Sequence, residues 1–203
     1  MKKMMFVAVV AMVGFAAKPV DSGYGVGDAV ADFKLKNATD GKMVALADFK
    51  EAKGFVIIFD CNTCPVSRAY NSRIIALSKK FAPQGFPVVL INPNSADVVA
   101  EESFESMKGH AKAHGYDFPY LYDESQDVVR KFNPTNTPHV FVLSKTSDGL
   151  KVAYIGGIDN NSRDGAKADK HYVEDAVNEL LAGKTVTVTK TKAIGCSIKW
   201  KNS

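Results

Sequence analysis

One stretch constrains this chain more than any other: Phe55-Val56-Ile57-Ile58-Phe59, the loop Asp60-Cys61-Asn62-Thr63-Cys64-Pro65, and the apolar face that follows. A continuous apolar run of this length reads as a central strand buried on both faces. Val66, Tyr70, Ile74, Leu77 and Phe81 then recur at steps of three and four, one face of a helix that Pro83 and Gly85 stop. The chain must therefore pass from a buried strand to a helix through a loop holding two cysteines.

The rest of the pattern repeats the strand-to-helix alternation. Ala31 to Lys36 and Met43 to Leu46 read as short strands around the turn at 37–41. Val88 to Ile91 is a second buried strand, and Glu102 to His114 a polar helix ended by Gly115. Pro119 to Tyr122 is a short strand and Ser125 to Phe132 a helix. His139 to Leu143, a turn at Ser147-Asp148-Gly149, and a strand ending at Ile155 form a hairpin. Val173, Ala176, Val177, Leu180 and Leu181 mark a last helix, stopped by Gly183. This order predicts an α/β protein with a mixed central β-sheet flanked by helices on both faces.

The N-terminus carries a different signal. Lys2 and Lys3 precede an apolar run from Met4 to Ala17, the length of a signal-peptide core and too short to span a bilayer. Gly14-Phe15-Ala16 fits a small-x-small cleavage pattern. The expectation is a signal peptide at residues 1–17, one domain at 18–184 and a tail at 185–203 containing Cys196. The mature protein is then exported, periplasmic or extracellular, with no stable membrane anchor after cleavage. Among 203 residues only four are Arg, and Lys is dispersed, so no basic cluster points to nucleic acid. Without a Gly-rich phosphate loop, no nucleotide cofactor is expected.

Cys61 and Cys64 carry the chemistry. Two intervening residues let the sulfurs meet within one turn, so a reversible disulfide between them is expected. Cys61 and Cys64 are thus the candidate catalytic residues. A helix N-terminus supplies free N–H groups and partial positive charge that favour a thiolate. Asn62 or Thr63 is the expected N-cap, and Pro65 suits the first turn. Asp60, if it faces the thiol, opposes thiolate formation. A zinc site needs further paired ligands, and Cys196 stands without a neighbouring His. A structural disulfide across so short a loop constrains little chain entropy. No cofactor and no metal are expected. Cys196 is either a resolving thiol or a small buried hydrophobe.

These residues resemble the thioredoxin-like superfamily in its AhpC/TSA (redoxin) branch, over roughly residues 24 to 182. Gly27-Asp28 with Asp32-Phe33-Lys34-Leu35 resembles the start of redoxin domains, and Asn136-Thr137-Pro138 resembles the Thr-cis-Pro element. The CxxC loop, the stretch from Phe118 to Glu124 and the tail from Lys192 to Lys201 are similar to a peroxiredoxin-like subgroup. The resemblance implies a thioredoxin-like fold, with Thr137 and Pro138 shaping a groove where substrate chains dock. It implies thiol–disulfide exchange with protein or small-molecule thiols and disulfides. Likeness to thioredoxins makes Cys61 the attacking sulfur; likeness to peroxiredoxins makes it Cys64.

Two other activities follow from partial likeness. A peroxiredoxin-like thiol peroxidase acting on peroxide is one. Against it, the family's P-x-x-x-T-x-x-C pattern would need Pro at Ile57 and Thr at Cys61, and no Arg stands between Arg130 and Arg163. A Sco-like copper module using His139 is the other, although that family spaces its cysteines C-x-x-x-C. The run from Asp159 to Asp164 lacks the Gly and Glu of an EF-hand loop and reads as surface.

Overall fold

The structure, a computed structural model, describes residues 23–201. The expected signal peptide at residues 1–17 lies outside the described residues. β1 (Lys34–Asn37) and β2 (Met43–Ala45) form a hairpin, followed by β3 (Gly54–Phe59) and α1 (Pro65–Phe81). Then come β4 (Val88–Asn92), α2 (Phe104–His114), β5 (Tyr120–Tyr122) and α3 (Asp127–Phe132). β6 (His139–Thr146), β7 (Gly149–Gly156) and α4 (Tyr172–Leu181) complete the set. Glu102, expected to begin a helix, instead closes a 3-10 turn at Ala100–Glu102, because Ser103 caps α2 by accepting the Ser106 N–H.

Seven strands form one sheet in the order β2-β1-β5-β4-β3-β6-β7. β3, β4 and β5 run parallel, and β1, β6 and β7 join antiparallel. β3 is an interior strand between β4 and β6, every residue buried. Its alternation divides the core. Val56 and Ile58 face Tyr70, Ile74 and Leu77 of α1, Met107 of α2 and Val177 of α4. Phe55, Ile57 and Phe59 face Val128, Val129 and Phe132 of α3. Each such side chain contributes about 2 kcal/mol on burial, so this strand anchors the loop that follows it. Gly54 is required at the start of β3: a Cβ there would sit 2.2 Å from Leu143 O and 2.3 Å from Phe86 Cε1.

The mixed sheet with helices on both faces is the architecture expected from the alternation. No described helix is long and apolar enough to cross a membrane. The tail does not stand apart from the domain. Thr189 and Thr191 bond Ile155 at the end of β7, and Ile198 is buried in the second core cluster beside Phe59 and Phe132.

Candidate active site

The parallel strands end where the Cys61–Cys64 loop, the Thr137–Pro138 segment before β6 and the tail converge. Pro65 opens α1, so Cys64 is its N-cap, with no side-chain capping bond. The expected caps, Asn62 and Thr63, do other work. Their backbone N–H groups donate to Glu102 Oε2 at 2.9 Å and Oε1 at 3.0 Å. The Thr63 hydroxyl adds a bond to Oε1 at 2.5 Å and Asn92 Nδ2 one to Oε2 at 2.8 Å. Glu102 is fully buried. These two amides therefore hold the loop to Glu102 and do not face a thiolate.

The sulfurs pair differently from the expectation. The disulfide joins Cys64 to Cys196, with Cα atoms 5.9 Å apart, and Cys61 is a free buried thiol. The physical reason is tertiary. The tail lies antiparallel to Thr137, whose N–H donates to Cys196 O at 2.9 Å while Cys196 N–H donates to Thr137 O at 3.1 Å. This bridge brings Cys196 onto Cys64, which lies 3.4 Å from Thr137 O. Cys61 faces the other side of Thr137, its Sγ 3.0 Å from Oγ1 and 3.9 Å from Ser67 Oγ. All three cysteines thus surround one residue, and the Thr137–Pro138 bond is cis, as the resemblance implied.

Electrostatics further separate the two loop cysteines. Burial, then the charges of Asp60 and Glu102, push the Cys61 thiol up from 9.0 to about 11. Bonds from Thr137 and the Cys64 amide pull the other way and lose. Asp60 is itself buried, and desolvation lifts it from 3.8 to about 7 against a bond from Ser67. So Asp60 stands beside the thiol and disfavours its ionisation. A helix start that activates Cys61 is not what the chain builds; Cys64, at the N-cap, receives the helix field instead.

His139 does not join the cysteines. Its Nδ1 accepts the Thr135 N–H at 3.0 Å, and burial lowers it from 6.5 to about 4. Among the described residues no group of three or more His, Cys, Asp or Glu is spaced to hold a metal ion. Asp159, in the acidic-polar run, takes an ion pair from Arg73 at 2.6 Å and the Tyr70 hydroxyl at 2.9 Å, tying α1 to the chain after β7. Tyr120 is core and its hydroxyl donates to Asn62 Oδ1, whereas Trp200 is exposed under the Arg130 guanidinium. Sequence reasoning missed Glu102. A Glu in a short turn far along the chain carries no local signal of what it holds.

Comparison with known proteins agrees with this architecture. The AhpC/TSA family matches residues 26–150. An uncharacterized conserved protein from Geobacillus kaustophilus is 35% identical, with a TM-score of 0.82 over 90% of this chain and 95% of that one. A hypothetical protein from Sinorhizobium meliloti 1021 is 32% identical, with a TM-score of 0.81 over 90% and 98%. A thiol:disulfide interchange protein of the thioredoxin family from Chlorobium tepidum shares the fold, at 22% identity and a TM-score of 0.52 over 64% and 86%. No curated protein sequence matches. The chain belongs to the AhpC/TSA family and has its thioredoxin-like fold.

Proposed function

We propose that this chain is an exported thiol–disulfide oxidoreductase in which Cys64 is the exchanging sulfur and Cys196 and Cys61 are its two partners. The carrying observation is the convergence of all three cysteines on Thr137, with the Cys64–Cys196 bond closed and the Cys61 thiol free. In one exchange, Cys61 loses its proton and attacks Cys64. A Cys61–Cys64 disulfide forms, and Cys196 leaves as a thiolate and takes up a proton. No net oxidation occurs. In the other, an external thiolate opens Cys64–Cys196 and a second one completes the reduction, releasing a disulfide. The helix N-terminus stabilises Cys64 as the leaving group. Export rests on the N-terminal pattern of residues 1–17 and places the cysteines where disulfides persist.

A redox titration followed by differential alkylation and mass spectrometry tests this. The expected result is interchange between Cys64–Cys196 and Cys61–Cys64, with turnover of a small disulfide lost in Cys64→Ser. Unchanged turnover in that variant overturns the reading. The potential of the couple then sets the direction: near thioredoxin's it makes a reductant, near that of DsbA an oxidant. Peroxide reduction is the second reading. The family and a guanidinium beside the loop favour it, since Arg68 Nε donates to Asn62 O at 2.8 Å. It predicts rapid H₂O₂ consumption and a sulfenic acid on Cys64.

A further inference from the structure

The tail controls what can reach the cysteines. Extended chains bind by adding backbone hydrogen bonds to a free edge. The edge expected to receive them is the backbone of Thr137, and Cys196 already takes both its N–H and its C=O. The fit leaves no slack: a Cβ on Gly195 would lie 1.8 Å from Thr137 O.

This strap is fastened on both sides by bonds that involve no sulfur. Upstream, Ile155 N–H donates to Thr189 O and Thr191 N–H to Ile155 O, both at 3.0 Å. Downstream, Ile198 is buried in the core, Lys199 N–H donates to Asn94 Oδ1 at 2.9 Å, and Ser95 N–H donates to Lys199 O at 2.9 Å. Gln126, fully buried, spans the last turn: Nε2 donates to Lys199 O at 3.0 Å and Oε1 accepts Lys201 N–H at 2.7 Å. Opening the disulfide breaks none of these. The strap therefore stays over the edge in both redox states. Cys61 and Cys64 beneath it are each 2% exposed, whereas Cys196 is half-buried.

The geometry points to small-molecule thiols and disulfides, and not extended protein segments, as the substrates of this site, with Cys196 as the sulfur they meet first. This rests on the exchange reading above. A small thiolate attacks Cys196 Sγ, the Cys64–Cys196 bond breaks, and its electron pair stays on Cys64. A second small thiolate attacks its own kind in the mixed disulfide, releasing the oxidised small disulfide and the Cys196 thiolate, which takes up a proton. Run backward, the same steps reduce a small disulfide and close the protein's own.

The test compares the reduced full-length protein with Gly195→Val, using glutathione disulfide and insulin as probes. The unaltered protein should react with glutathione disulfide and leave insulin at its background rate. Gly195→Val, which pries the strap from Thr137, should raise insulin reduction about tenfold or more. Insulin reduction by the unaltered protein, or equal insulin rates in the two proteins, overturns the inference. Hydrogen exchange at the Thr137 and Cys196 amides gives a readout free of mutation: protection in both redox states is expected, and its loss on reduction refutes a standing strap. Failure to react with either probe in any form instead sinks the exchange reading itself.

Discussion

Replacing Glu102 by Ala removes the acceptor of four hydrogen bonds at the centre of the cysteine loop. Two of the donors sit on Thr63, which is half-exposed, so water can replace the carboxyl there. The other two, Asn62 N–H and Asn92 Nδ2, belong to buried residues and are left without partners. Each stranded donor costs about 1–3 kcal/mol, so the expected loss is about 4 kcal/mol for the pair. For a chain of this size that lowers Tm by about 8–16 °C. Glu102→Gln keeps one accepting oxygen, and its Nε2 can turn toward the Thr63 hydroxyl, so about half the loss is expected. Urea unfolding followed by circular dichroism measures both. Either variant also removes a negative charge that holds the Cys61 thiol up, so its alkylation should begin at lower pH than in the unaltered protein. An Ala variant within about 1 kcal/mol of the parent, or a Gln variant as costly as Ala, refutes the assignment of Glu102 as the clamp of the loop.

Three further perturbations address the surrounding groups. Burial raises Asp60 to about 7, so its contribution to stability is complete below about pH 4 and is lost as pH rises through 7; Asp60→Asn should flatten that decline in unfolding curves recorded from pH 4 to 8, and an unchanged slope counts against it. The Cys64–Cys196 bond closes a loop of sequence separation 132, so Cys196→Ser should cost about 5 kcal/mol in denaturant unfolding under oxidising conditions and almost nothing under reducing ones. Gly54→Ala drives a methyl into Leu143 O and the Phe86 ring, and a loss of about 3 kcal/mol or more is expected; a near-neutral result means β3 can shift against β6.

Periodicity settled most of the scaffold before any contact was known. The apolar run at 55–59 can be satisfied only between two covered faces, and the steps from Val66 to Phe81 only by a helix lying on one of them. These are local signals, because each residue's surroundings repeat along the chain. Boundaries were softer where side chains compete with the backbone, as at Ser103, which caps α2 and leaves Glu102 outside it.

The site itself divides along the same line. That Cys61 and Cys64 flank a strand-to-helix turn was legible, because both belong to one short segment. That Cys64 bonds Cys196 was not: the partner lies at the far end of the chain, and its position depends on Thr137, Asn94, Ser95 and Gln126, drawn from three other loops. The same holds for Glu102, which claims the amides of Asn62 and Thr63 from 39 residues away in one case and 40 in the other. By itself, then, the sequence determined the order of elements, the sheet they form and the placing of a thiol pair at a helix start. Only the tertiary structure decided which sulfurs meet, which amides Glu102 claims and which edge the tail covers, because each depends on groups that folding alone brings within bonding distance.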